Sequence, residues 1–330
     1  MKKLTYLSLS LLMAFGGLLL TNVSAQDLKI NYFRAPDQTG INVFEPSKTD
    51  LGTYDGLKVR IGGNFTQQFQ MINHSTGGMI TDTEGNSTPI ALYNLASGFN
   101  TAAANLNFAF QIEDGIQVVL ENYMSSRHHS EFWVKGGYIQ VDKLPMFGNP
   151  DWFSKNLRVK IGHFQRNYGD QQFRRTDNGN AMWNPFVGNY ITDAFTTEIG
   201  GEVYLFPVDG LLLMGGMTAG YIGGNIAATP VAAPGQEQQQ RNPTLYLKAT
   251  YDKQLSELVR FRLSASMTAN GNQNRNTLYG GDRTGSRYFM ALEAANATAA
   301  ANFTSGRWNP NFTNKLVAFQ VNPFVKVAGL

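Results

Sequence analysis

The chain has 330 residues, 15% of them charged, a formal net charge of +3 and no cysteine. So small a net charge gives no electrostatic footprint for nucleic acid, and the lack of cysteine excludes disulfides and a cysteine-linked lipid anchor. Few charges alongside 12% aromatic residues and 34 glycines suit a β-rich chain with polar loops.

Residues 1–25 read as an export signal. Met1-Lys2-Lys3 is the basic start, Leu4 to Leu20 the apolar stretch, and Val23-Ser24-Ala25 the small-residue cleavage motif before Gln26. A membrane anchor is the competing reading, and the Ser and Gly interruptions together with the cleavage-type motif weigh against it. No other long apolar run follows, so any further crossing must be made by strands. In hydrocarbon only helices and closed barrels satisfy every backbone polar group. Residues 26–56 contain Pro36, Gly40 and Pro46 and read as an extended segment, either periplasmic or folded into a barrel lumen.

From residue 57 to residue 330 the pattern is that of an antiparallel transmembrane β-barrel. Leu57 to Met71 alternates apolar and polar residues with one lapse at Gln67, long enough to cross a bilayer, which takes roughly 9–11 tilted residues. Nine further segments follow: Asn100–Ile112, Ile116–Ser125, Glu131–Asp142, Leu157–Phe164, Phe195–Phe206, Leu211–Tyr221, Thr244–Tyr251, Leu258–Thr268 and Asn314–Val327. The phase slips at Gly136-Gly137, which predicts a bulge, and Leu211–Met214 is apolar on both faces. Connections alternate short and long, with Arg127–Ser130 the exception. That asymmetry fits short periplasmic turns and long outer loops, and gives a soluble β-protein no advantage.

The polar parity of these strands carries Lys58, Arg60, Arg158, Lys160, Lys248, Arg260, Arg262 and Lys326, all mapping to the periplasmic half of the lumen. Glu121 and Glu202 are the clear acidic counterparts. A basic lumen within a low-dielectric wall favours anions. The competing reading places these cations at the interface, partly neutralised by residues such as Asp114, Asp142 and Asp252. The long loop Gln165–Ala194 is aromatic and contains Arg166, Arg174, Arg175, Asp170 and Asp177. It either folds inward as a constriction or packs against other outer loops. Folded inward, Arg174 and Arg175 would contact oxyanions, with Asp177 able to neutralise one of them. His74, His128, His129 and His163 have no nucleophile or ligand at a supporting spacing, so neither an enzyme, a metal site nor a cofactor is expected.

The run V-K-I-G-H-F-Q-R-N-Y-G-D-Q-Q-F-R-R-T-D-N-G-N-A-M-W-N-P-F-V-G-N-Y-I-T-D-A-F-T-T-E-I-G-G-E-V-Y, Val159 to Tyr204, resembles porin-like outer-membrane proteins of the Bacteroidetes type. Thr277 to Tyr288 and Phe319 to Lys326 support the resemblance, which spans most of the mature chain. More distantly the chain looks like the phosphate-selective porins, which implies a homotrimer of barrels of about sixteen strands. That group's basic ladder has no residue-by-residue match here. Family members continue into further hairpins and end on an aromatic strand, whereas this chain stops at Val327-Ala328-Gly329-Leu330, so a truncated chain is expected. The expected partners are a lipid bilayer of a Gram-negative-type outer membrane, the outer-membrane assembly machinery and small anionic or hydrophilic solutes. The expected function is passive solute diffusion; the alternative is a structural or adhesive barrel displaying its long loops.

Overall fold

The computed structural model describes residues 29–40, 42–49, 54–67, 69–99, 103–125, 132–173, 196–220, 242–273, 276, 278–279, 290–297, 310 and 312–327. Residues 1–25, read above as an export signal, and Arg174, Arg175, Asp177, His128 and His129 lie outside them. The fold is all-β, with one ten-stranded antiparallel sheet and almost no helix. Its strands, in chain order, are β1 (Lys58–Thr66), β2 (Ala103–Glu113), β3 (Ile116–Ser125), β4 (Phe132–Val141) and β5 (Leu157–Gln165). They continue as β6 (Thr197–Val208), β7 (Leu211–Thr218), β8 (Thr244–Gln254), β9 (Val259–Asn270) and β10 (Leu316–Val327).

Each strand pairs with the next, so the spatial order is the chain order. Among the described residues β1 and β10 each have one neighbour, and the sheet is not closed. Two of the turns are tight because glycine takes positive φ: Gly115 at 74° joins β2 to β3, and Gly210 at 82° joins β6 to β7. A Cβ on Gly115 would also lie 2.5 Å from the Lys143 Cβ.

One local expectation changes and two gain detail. The first strand ends at Thr66 rather than running on to Met71. After the polar lapse at Gln67 the chain leaves β1, and Phe69–Gln70 pairs instead with Gly98–Phe99. There Phe69 meets Phe99 edge to face at 5.6 Å. The connection before β5 also contains a short helix, Asp151–Asn156, which anchors itself by burying Phe153. The double-apolar Leu211–Met214 resolves into two faces, with Leu212 and Met214 buried and Leu213 exposed. The bulge is where the glycines place it: opposite Glu121 and Asn122, β4 passes from Gly136 to Val134 and leaves Lys135 extra.

Burial is inverted relative to a water-soluble sheet. One face buries Asn105, Asn107, Gln111, Glu202, Arg262 and Ser264, and the opposite face exposes Ile61, Ile161, Leu247, Phe319 and Val321. Glu202 is 1% exposed while Phe319 is 72% exposed. Period-2 alternation sends these residue types to opposite faces. What covers the polar face is the N-terminal segment, residues 29–49, whose Ile30, Tyr32 and Phe44 are buried. Ile30 packs with Ala109 and Val119, backed by Phe33 and Tyr138.

Candidate functional site

The polar face is organised by carboxylates that the N-terminal segment and the loop after β5 bring to the strands. Glu45 places Oε1 2.7 Å from Lys248 Nζ and Oε2 2.7 Å from Arg262 Nη2. Asp170 meets the same two cations: its Oδ1 is 2.8 Å from Lys248 Nζ, and Arg262 donates to both its oxygens at 2.9 Å. Arg262 also donates from Nη1 to Asp252, which takes a bidentate pair from Arg260 at 2.7 and 2.6 Å. Lys248, Arg260 and Arg262 thus face Glu45, Asp170 and Asp252, three charges of each sign. The Phe44 ring lies against this cluster, 4.0 Å from the Arg262 guanidinium carbon.

A second cluster forms at the start of β5. Arg158 Nε donates to Asp142 at 2.8 Å, and Lys48 Nζ reaches the same Oδ1 at 3.0 Å. Lys48 also donates to the backbone carbonyls of Asp142 and Leu157 at 2.6 and 2.8 Å, tying the N-terminal segment to two strand ends. Two cations here share one carboxylate.

A register row reads Lys58, Gln111, Gln117, Gln140, Lys160, Glu202 across six strands. The Gln117 and Gln140 side chains both donate to the carbonyl of Tyr32, at 3.2 and 3.1 Å. Lys160 lies 3.5 Å from Glu202 and 3.9 Å from the centre of the Phe164 ring. Glu202 accepts from the Tyr246 hydroxyl at 2.9 Å and from the backbone N–H of Asn167, also at 2.9 Å.

The sequence-predicted basic residues therefore do share one face, and most have a carboxylate beside them. Arg60 pairs with Asp37, Lys58 with Asp55 at 2.8 Å, and Arg158, Lys160, Lys248, Arg260 and Arg262 pair as described. Lys326 is exposed and makes no ion pair among the described residues. Asp142 and Asp252 act as neutralising partners, whereas Asp114 pairs instead with Lys143 at 2.9 Å. Sequence reasoning did not find Glu45, Asp37 or Asp170 as partners, because none lies in a period-2 segment. The described start of the long loop lies on the polar face: Asn167 and Asp170 are buried, and Gly169 N–H donates to Ser266 Oγ at 3.1 Å.

Burial opposes ionisation of Glu45, but Lys248 and Arg262 override it and hold the carboxyl well below the usual range. Asp170 is likewise held low against its burial by Arg262 and Lys248. Burial pushes the Lys48 ammonium down to about 8, with Asp142 opposing the shift, and the Arg34 guanidinium down to about 10. His74 ties together two irregular segments, its ring nitrogens 2.7 and 2.8 Å from the carbonyls of Ala291 and Tyr93.

Among the described residues no helix is long and apolar enough to cross a membrane, which leaves crossing by strands open. No group of three or more potential metal ligands occurs among them either. No family model, no curated protein and no solved structure matches the chain.

Proposed function

We propose that the sheet is the wall of an outer-membrane β-barrel whose polar face lines a lumen for passive diffusion of small hydrophilic solutes. The observation that carries this reading is the inverted burial: charged and amide side chains sit inside while Leu, Ile, Val and Phe cover the opposite face. Water has no use for such an exposed apolar surface, and a bilayer does. The N-terminal segment then lies within the lumen and narrows it.

Selectivity follows from the ion pairs. The cluster around Glu45 is balanced, three against three, while Lys48 and Arg158 share Asp142 and leave one positive charge in excess. Pairing thus reduces the field of the basic residues to a weak anion preference. Purified full-length protein in a planar bilayer tests this reading. Stable conductance steps with a reversal potential slightly towards chloride are expected in a KCl gradient. Absence of steps would favour a structural or adhesive barrel, and a cation-directed potential would end the anion assignment.

A further inference from the structure

We propose that a cavity between the N-terminal segment and strands β2 to β5 binds a small organic carboxylate. The cavity has a volume of about 230 Å³. With ~30 Å³ of liquid per water, that is room for several waters or one small molecule. Phe33, Phe173, Tyr138 and Phe164 line it. Such walls suit an apolar or aromatic body.

The charged groups around it are mostly basic. Arg34, Lys135 and Lys160 line the cavity against one acid, Glu121. Lys135 holds Glu121 at 3.1 Å, so that charge is already matched. Lys160 is held loosely, 3.5 Å from Glu202, with its ammonium between the Tyr138 and Phe164 rings at 4.4 and 3.9 Å. Arg34 donates from Nε to Val43 and from Nη2 to Phe173, and its Nη1 has no hydrogen-bond partner among the described residues. Two cations adjoining aromatic walls thus remain available for one anionic head.

A further group points to a ligand. Asn107 is 5% exposed and lines the cavity, yet its amide Nδ2 has no hydrogen-bond partner among the described residues. Leaving a buried donor unpaired is unfavourable, and a carboxylate or hydroxyl oxygen in the cavity would satisfy it. Inorganic oxyanions match the cations but leave the aromatic walls unused. A neutral aromatic matches the walls but supplies no negative charge to Arg34 and Lys160.

This deepens the solute-passage reading of the same lumen, but binding is measured separately from conduction. The experiment is calorimetric titration of the refolded full chain in detergent with benzoate, benzyl alcohol and sodium sulfate. Saturable benzoate binding, at least tenfold tighter than benzyl alcohol and not displaced by equimolar sulfate, is expected. Equal binding of benzyl alcohol, displacement by sulfate, or no benzoate binding would each overturn the proposal. Asn107→Leu and Lys160→Met should each weaken benzoate by about fivefold or more, and unchanged affinity in both would place binding elsewhere and overturn the assignment. If Lys160→Met loses its sheet signal by circular dichroism, Asn107→Leu alone locates the site. Conductance without benzoate binding would sink this proposal and leave the porin reading standing; binding without conductance would do the reverse.

Discussion

Glu45 and Arg262 lie 217 residues apart in the chain and meet at 2.7 Å, Oε2 to Nη2. Glu45 belongs to the N-terminal segment and Arg262 to β9, while the same segment reaches β1 through Asp37 and Arg60. One stretch of irregular chain thus bridges strands that are far apart in the sheet order. Its anchor is electrostatic, since Glu45 is buried between two cations.

Glu45→Gln removes the charge and keeps the shape. Lys248 and Arg262 then share only Asp170 and Asp252. Leaving buried charges short of a partner costs about 3–5 kcal/mol, and the remaining Asp170 brings the expectation to the low end, about 3 kcal/mol. Urea unfolding of the refolded protein should show a lower midpoint, and limited proteolysis should cut within residues 29–49 faster than in the wild type. Unchanged protection would mean that the segment is held by its apolar contacts and by Lys48 and Asp37 rather than by Glu45.

Acid should act through the same contact. The carboxyls of Glu45 and Asp170 are more acidic in the fold than in the unfolded chain. Their contribution is therefore complete above the ordinary carboxyl range, near 4, and is lost as pH falls through the folded values. Stability should hold from pH 7 to about 5 and decline below about 4. Comparing urea midpoints at pH 6 and pH 3 checks this, and Glu45→Gln should reduce the difference. An equal acid response in that variant would assign the loss to other carboxylates.

The ten strands and their parity are legible in the sequence because backbone geometry enforces period two. The expected segments and the observed strands share nearly all of their centres. Lys135 shows where this ends: the slip at Gly136-Gly137 announces a bulge, but only the register shows which residue is extra. The charge balance is the part that strand reading misses. Glu45, Asp37 and Asp170 lie in irregular chain with no periodicity to aim their side chains, and their partners are set by tertiary packing. A basic lumen read from strands alone therefore overstates the net charge.

Asp252→Asn tests that balance directly. Asp252 neutralises Arg260 and also touches Arg262 at 3.1 Å. Its loss adds one positive charge to the polar face while Arg262 keeps Asp170. The reversal potential in a KCl gradient should move towards chloride, and more so at low ionic strength, where screening is weak. Arg260→Gln should move it the opposite way. No shift in either variant would place the conducting path away from this cluster.

The outer face offers the sharpest test of the membrane assignment. Leu247 is exposed on β8, beside the buried Lys248. On the surface of a water-soluble sheet, Leu247→Arg would be nearly neutral, because an exposed leucine gains little there. On a lipid-facing strand, arginine costs about 2–4 kcal/mol near the bilayer midplane and about 0–1 near the interfaces. Leu247 pairs with Gly215 on one side and Met267 on the other, in the interior of both strand pairs, so the larger cost is expected. Folding into phospholipid vesicles across a denaturant series should show a loss of that size. Leu258→Arg serves as the comparison: Leu258 is exposed just before β9 begins, so its cost should be small. Equal and negligible losses at both positions would count against a bilayer on this face. A large loss at Leu247 and a small one at Leu258 would fix both the apolar face and the level at which hydrocarbon ends.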